Sequence, residues 1–209
     1  AKKYVGDYFY CVWTRRNLYA LSYMFDRINK IEDKDIKDFF KFAFISMIHL
    51  STKMVSARRE KSQRPDSGSW GRPAYLFPKR HLEQNPFVLF ERAIEDKQGI
   101  ISAKESSNKL INGKTKFAKN FEDLINNNKN LLILKENSVE LSKFIEKESV
   151  DYVLTDPPYG GLIKYFDLSS LWAIWLKGKE QNEGFEIQYQ QEITLDKDRN
   201  FDYYDRMLS

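Results

Sequence analysis

The chain has 209 residues, of which 42% are hydrophobic and 15% aromatic, and its formal net charge is +4. This composition excludes a disordered chain and allows one domain, or one core with an appendage. Cys11 is the single cysteine, which excludes a disulfide scaffold and is typical of a reducing cytoplasm. With His49 and His81 as the two histidines, we expect no metal centre. No apolar run approaches the roughly 20 residues of a membrane span, so we expect no membrane partner.

The charge is distributed unevenly along the chain. Residues 1–150 carry 28 basic and 19 acidic side chains, whereas residues 151–209 carry 6 and 11. Such a division predicts that the amino-terminal part faces a polyanion. A lysine-rich surface without a partner is the alternative interpretation.

Apolar spacing and capping residues predict three helices in the first part of the chain. The first begins after Thr14, the second begins after Asp33 and runs on towards Val55, and the third begins after Asn85. The first two are expected to form an antiparallel hairpin. Residues 1–125 are therefore predicted to be mainly helical, with an irregular basic loop at residues 53–80.

The basic loop is rich in proline and glycine and carries eight basic side chains against two acidic ones. Lysine and arginine neutralise phosphates, and interleaved aromatic rings such as Trp70 stack on unpaired bases. The loop therefore predicts a nucleic-acid contact, with a solvated linker as the alternative. The residues expected to make this contact are Arg58, Arg59, Lys61, Arg64, Arg72, Lys79 and Arg80.

A strand–helix–strand pattern is predicted in the second part of the chain. Residues 131–134 and 150–155 are short apolar runs typical of buried parallel strands, with a short helix at 141–145 between them. A strongly apolar helix follows at residues 166–176. The predicted fold class is therefore α/β, with part of its core at residues 126–209.

The sequence Asp156, Pro157, Pro158, Tyr159 follows the second predicted strand directly and precedes two glycines. The carboxyl ends of parallel strands are where α/β folds bind ligands. Consecutive prolines stiffen the loop, remove amide donors and leave carbonyls to accept hydrogen bonds. The Asp156 carboxylate and the Pro157 carbonyl can each accept one hydrogen of an exocyclic amine, and Tyr159 can stack on its ring. A rigid turn with a surface tyrosine is the alternative.

Residues 150–161 resemble the catalytic motif of S-adenosylmethionine-dependent amino-methyltransferases that act on adenine N6 or cytosine N4 of DNA. Residues 163–176, 14–21 and 44–53 are similar to one bacterial subfamily of these enzymes, although the tetrad 156–159 is the specific part. The resemblance implies a Rossmann-like methyltransferase sheet, S-adenosylmethionine as cofactor, DNA as partner and a role in restriction–modification. It also implies that residues 156–159 are catalytic and that the cofactor is contacted by Glu136, Asn137, Ser138 and Asp156.

One departure from the family pattern changes the expectation for this chain. The family needs a glycine-rich loop after the first strand of the sheet, and no such motif is present. We therefore expect a fragment whose missing loop lies before Ala1 or, in a permuted order, beyond Ser209. The upstream similarities favour the first, which makes residues 1–125 an insertion between the second and third strands.

The remaining part of the same protein is then an expected partner, and the isolated chain is expected to be inactive. Two alternatives stay open. An RNA guanine-amino methyltransferase of the same fold uses a similar motif. A non-catalytic nucleic-acid-binding subunit would have kept the fold and lost the cofactor loop. We expect a cytoplasmic location in each case.

Overall fold

A computed structural model describes residues 8–57, 77–111, 114–176 and 192–208. The chain divides into two compact units, Ala1–Ala103 with Lys164–Glu192 and Lys104–Ile163 with Ile193–Ser209. The described helices are α1 (Arg15–Asn29), α2 (Lys34–Met47), α3 (Pro86–Glu95), α4 (Ile100–Ile111), α5 (Phe121–Asn126), α6 (Tyr165–Leu176) and α7 (Phe201–Leu208). The described strands are β1 (Phe117–Ala118) and β2 (Leu131–Leu132), which form a parallel pair. The fold is thus mixed α/β, and the functional division predicted near residue 125 stays a prediction.

The three helices predicted in the first part of the chain are confirmed together with their capping residues. Thr14, Asp33 and Asn85 each occupy the N-cap, and their side-chain oxygens accept a backbone N–H at 3.0–3.1 Å. Such caps satisfy amide groups that have no partner within the helix. Helix α2 ends earlier than predicted, because the chain tightens into a 3₁₀ turn at Ile48–Ser51.

The first unit is built around an apolar core to which α1, α2, α3 and α6 contribute. Phe44 of α2 is fully buried, and its ring lies 5.0 Å from that of Phe25 and 5.1 Å from that of Trp175. The Trp172 indole donates a hydrogen bond to the Ile45 carbonyl at 2.9 Å. Because Trp172 and Trp175 are one turn apart on α6, these contacts fasten that helix to α2. The other buried members of the core are Val12, Trp13, Leu21, Met24, Ile28, Met47, Ile48, Met54, Leu89 and Leu171.

A polar network fixes the beginning of α1 within the first unit. Asn17 is buried, and its side-chain amide donates to the carbonyls of Ser51 (2.9 Å) and Gln84 (3.0 Å). Glu83 accepts hydrogen bonds from Thr14 and from Arg16. The Arg16 guanidinium beside Glu83 holds the pKa of that carboxyl below its usual value. These bonds determine which face of α1 is turned towards solvent.

The second unit contains a strand–helix–strand element, although its position differs from the prediction. Phe117 pairs with Leu131 and Ala118 with Leu132 in parallel register, and α5 connects the two strands. The strand predicted at residues 131–134 is thus confirmed over its first two residues. The short helix predicted at 141–145 is instead a 3₁₀ helix at Ser138–Lys143.

The strand predicted at residues 150–155 was wrong for this structure. The segment forms no strand, and Tyr152, Val153 and Leu154 are 78%, 73% and 86% exposed. β-branched and aromatic residues favour a strand only where a neighbouring strand supplies hydrogen bonds and side-chain contacts. No strand within the described ranges supplies them.

Residues 150–152 nevertheless lie beside β2. Val150, Asp151 and Tyr152 line a largely apolar groove of about 580 Å³ together with Leu131 and Leu132. Its other lining residues are Phe121, Leu124, Ile125, Asn130, Leu134, Ile145 and Ser149. The beginning of the segment that leads to residues 156–161 therefore lies along an apolar surface of the second unit.

Candidate active site

The loop at residues 156–161 is shaped by its two glycines. The Leu162 amide donates to the Tyr159 carbonyl at 3.1 Å, which closes a turn. Gly160 lies in this turn with φ of +56°, a conformation that residues with a Cβ rarely adopt. A Cβ at Gly161 would lie 2.9 Å from the Leu195 carbonyl oxygen, so this position needs glycine for close backbone approach. The glycines that follow the motif are thus requirements of the turn and its packing.

The carboxyl-terminal part of the second unit holds this loop by three hydrogen bonds. The Tyr204 hydroxyl donates to the Pro158 carbonyl and accepts the Gly160 amide at 3.1 Å. Thr194 is buried, and its hydroxyl donates to the Gly160 carbonyl at 3.0 Å. Both peptide groups that flank Gly160 are therefore fixed, which makes the loop a pre-organised platform.

Local sequence explains how Tyr204 reaches this position. The Asp196 carboxylate accepts the amides of Asp198 and Arg199, both at 3.0 Å, and forms a turn. The Asp198 amide lowers the pKa of Asp196 most strongly. Asn200 then caps α7 by accepting the Tyr203 amide at 3.0 Å. The turn and the cap thus place Tyr204 in the first turn of α7.

Sequence reasoning missed α7, Thr194 and Tyr204. The Asn200 cap is a signal that could have indicated the helix. The contacts themselves leave no local signal, since they join residues 34 to 46 positions apart.

Some of the hydrogen-bond acceptors of the motif are occupied by groups of the same unit, and others are not. The Tyr159 hydroxyl donates to one carboxylate oxygen of the exposed Asp156 at 2.7 Å. In the described part of the chain, the other carboxylate oxygen and the Pro157 carbonyl accept no hydrogen bond. The Pro158 carbonyl, by contrast, is occupied by Tyr204. The acceptors left for a ligand therefore belong to Asp156 and Pro157.

The predicted cofactor residues lie on a separate turn of the second unit. Asn137 accepts the Val139 amide at 3.2 Å and caps the 3₁₀ helix, while Glu136 and Ser138 are exposed. Among the described residues, no hydrogen bond or ion pair joins this turn to Asp156. The residues present fit the amine of a substrate, but they do not by themselves enclose S-adenosylmethionine.

The two ends of the basic loop lie side by side on the first unit. Ser56 and His81 form an antiparallel bridge, the Ala57 amide donates to the Arg80 carbonyl at 3.1 Å, and Lys79 and Arg80 are exposed. The remaining predicted contact residues lie outside the described residues; they are Arg58, Arg59, Lys61, Arg64 and Arg72. The described end of the loop thus presents two of the predicted cations to solvent.

Comparisons of this chain with protein-family models, curated proteins and solved structures found no match. In the portion that the structure describes, none of the helices combines the length and the apolar character that a membrane crossing requires. A functional assignment therefore rests on the geometry of residues 156–161 and on the charge of the surface.

One prediction tests whether Tyr204 fixes the loop. Tyr204→Phe removes one hydroxyl that makes two hydrogen bonds, each worth about 1 kcal/mol. We expect the Gly160 amide to exchange its hydrogen about thirtyfold faster, because the loss of both bonds corresponds to about 2 kcal/mol, measured by NMR-detected hydrogen exchange. Tyr203→Phe is the matched control and should leave this exchange rate unchanged. Equal rates in the two variants would show that the hydroxyl does not hold the loop.

Proposed function

We propose that this chain is part of an S-adenosylmethionine-dependent DNA methyltransferase that methylates the exocyclic amine of a flipped base, with adenine as the preferred base. The observation that carries the proposal is the Asp156 carboxylate, oriented by the Tyr159 hydroxyl at 2.7 Å on a loop fixed by Tyr204 and Thr194. An exposed carboxylate held in this way is suited to accept hydrogen bonds from a ligand.

The chemistry of an aromatic amine explains why two acceptors are needed. Its lone pair delocalises into the ring, so the nitrogen is a poor nucleophile, and it becomes tetrahedral and positively charged as it forms a fourth bond. Acceptors aimed at its two hydrogens stabilise that charge as it develops. The Asp156 carboxylate and the Pro157 carbonyl each accept one hydrogen. No strong base is required, because the proton becomes acidic once the fourth bond forms. When bound, S-adenosylmethionine supplies the electrophilic methyl group.

Tyr159 supplies a stacking surface for the flipped base. A base inside a duplex cannot reach such a loop, and flipping it out costs a few kcal/mol of stacking. The Tyr159 ring is 50% exposed while its hydroxyl is held by Asp156. Stacking on such a ring returns about 1–3 kcal/mol.

The proposed function includes a larger sheet than the described strands form. We propose that β1 and β2 belong to a Rossmann-like methyltransferase sheet, with its other strands and the glycine-rich loop supplied by the remaining part of the protein. The parallel pairing of β1 with β2 across α5 supports this, because parallel strands joined by a helix are the repeating unit of such a sheet. Since β1 lies at Phe117–Ala118, the proposed core begins before residue 126, the boundary predicted from the sequence.

Transfer of a labelled methyl group from S-adenosylmethionine to DNA by the intact protein tests this proposal. Digestion of the product to nucleosides should yield N6-methyl-2′-deoxyadenosine. RNA transcripts serve as the comparison substrate. Transfer to guanine in RNA, or DNA binding without any transfer, would contradict the proposal and favour one of the two alternatives.

The proposed DNA contact of the basic loop leads to a separate prediction. We expect the combined change of Arg58, Arg59, Lys61 and Arg64 to Ala to weaken DNA binding similarly for all sequences. The slope of log affinity against log salt should fall by nearly one unit for each duplex phosphate that the variant no longer neutralises. Fluorescence anisotropy at a series of salt concentrations measures this slope.

A matched control removes the same charge from the second unit. Lys104, Lys109, Lys114 and Lys116 are exposed, and their combined change to Ala should leave the slope close to that of the wild type. Identical slopes for the wild type and the loop variant would show that the basic loop is a solvated linker.

A further inference from the structure

Helix α1 presents an exposed face on which arginine and tyrosine form a stripe. Arg15, Tyr19, Tyr23 and Arg27 follow one another at intervals of four residues, and all four are exposed. Each step of four residues advances about 6 Å along the helix axis and about 40° around it, so the stripe winds about a third of a turn around α1. The stripe is therefore about 18 Å long, which is the axial rise of about five base pairs of DNA.

The orientation of this face follows from the burial of the opposite one. Leu21, Met24 and Ile28 lie in the core, and Asn17 is fixed by hydrogen bonds to Ser51 and Gln84. The helix therefore cannot rotate to bury its tyrosines without breaking those contacts. Tyr19 is 77% exposed and Tyr23 is 52% exposed. Two large aromatic side chains on one exposed face are typical of a binding surface.

The charges of the face favour a phosphate backbone as its ligand. Arg15, Arg16, Arg27 and Lys30 are exposed cations of this region, and Asp26 is the acidic residue among them. Arg16 pairs with Glu83, and Lys30 pairs with Asp26 at 2.7 Å. Among the described residues, Arg15 and Arg27 form no ion pair, and the Arg27 guanidinium lies 6.0 Å from the centre of the Tyr23 ring. Within the described ranges, a cation without an ion-pair partner therefore stands at each end of the tyrosine pair.

We infer that this face of α1, the arginine–tyrosine stripe, is a second nucleic-acid contact surface. Arg15 and Arg27 neutralise phosphates, while Tyr19 and Tyr23 stack on unpaired bases where these are presented. A protein partner is the less favoured occupant, because residues 1–150 carry an excess of nine basic groups that complements a polyanion. The inference rests on the proposed function and deepens it by adding a DNA contact outside the basic loop.

The test compares two variants of the full 209-residue chain with the wild type. Arg15→Gln with Arg27→Gln removes the charge, and Tyr19→Gln with Tyr23→Gln removes the rings; glutamine keeps the helix propensity high. The probes are a fluorescent duplex of about 20 base pairs and an oligothymidine of similar length, titrated from about 50 to 200 mM salt. Lys104→Gln with Lys109→Gln is the charge-matched control on another exposed helix.

We expect the arginine variant to lower the salt slope on the duplex by nearly two units, while the lysine control leaves it unchanged. The tyrosine variant should weaken oligothymidine binding by at least about thirtyfold without changing the slope. These results would distinguish contact with duplex DNA from contact with a single strand, since stacking requires unpaired bases.

Three outcomes would overturn the inference. The first is a slope for the arginine variant equal to that of the wild type or of the lysine control. If the basic-loop variant still lowers the slope in that case, the proposed DNA contact survives and the stripe alone is refuted. The second is self-association that depends on Tyr19 and Tyr23 in sedimentation, which would make the stripe a protein interface. The third is a wild-type chain that binds neither probe, which would refute the proposed DNA contact as well.

Discussion

Asp156→Ala is expected to lower methyl transfer by the intact protein at least about hundredfold, comparable to the loss of one well-placed transition-state contact. The Asp156 carboxylate is exposed and held by the Tyr159 hydroxyl, so it is free to receive an amine hydrogen through its other oxygen. Asp156→Asn should retain part of the activity, because the amide oxygen still accepts a hydrogen bond. The measurement is the initial rate of labelled methyl transfer to DNA at saturating cofactor.

Asp151→Ala is the matched control for this experiment. Asp151 is an exposed carboxylate five residues before Asp156, and it lines the groove beside β2. We expect this variant to retain activity within about twofold of the wild type. DNA affinity should be similar for Asp156→Ala, Asp156→Asn and Asp151→Ala, because in the proposed mechanism Asp156 contacts a base only after the DNA has bound. Full turnover by Asp156→Ala would refute the catalytic assignment.

Phe44→Ala should lower the free energy of unfolding of the first unit by about 3–5 kcal/mol. The Phe44 ring is fully buried between Phe25 and Trp175, so truncation removes apolar contacts and leaves a cavity where α1, α2 and α6 meet. Urea unfolding followed by circular dichroism measures the change, which should appear in the midpoint with little change in the slope.

Phe42→Ala provides the comparison within the same helix. Phe42 is 56% exposed, and its truncation should change the free energy of unfolding by less than about 0.5 kcal/mol. Phe44→Leu, which keeps part of the side chain, should fall between the two and gives a measurable value if Phe44→Ala does not fold. Equal destabilisation by the Phe42 and Phe44 truncations would contradict the described core.

The structure explains why some elements can be predicted from the chain and others cannot. Helix α1 is predictable because Thr14 caps it and its apolar residues recur at helical spacing. Both signals lie within a few residues of the element they determine. The segment 150–155 carries an equally clear strand pattern, but a strand also needs a neighbour with which to exchange hydrogen bonds. The sequence pattern of the segment does not indicate whether the described chain supplies such a neighbouring strand.

In the candidate site too, contacts between neighbouring residues can be predicted from the sequence and contacts between distant residues cannot. Asp156 and Tyr159 are three residues apart, and their hydrogen bond lies within reach of a prediction from sequence. Two prolines in sequence predict two carbonyls able to accept. In the described chain, the Pro157 carbonyl accepts no hydrogen bond, whereas the Pro158 carbonyl accepts one from the hydroxyl of Tyr204. Tyr204 lies 46 residues further along the chain. The sequence pattern named the Pro157 carbonyl as an acceptor, but the occupation of the Pro158 carbonyl by Tyr204 could not be inferred locally.

The amino-acid sequence by itself determined the features that depend on neighbours along the chain: the caps of α1, α2 and α3, the apolar helix α6, and the acceptor-rich loop at 156–161. The tertiary structure decided which elements meet. It paired β1 with β2, packed the Leu195 backbone against Gly161 and placed Tyr204 on the loop. The physical reason is that caps and helical spacing act over two to four residues. Contacts between distant segments instead depend on the packing of the whole unit, which leaves no periodic signal in the chain.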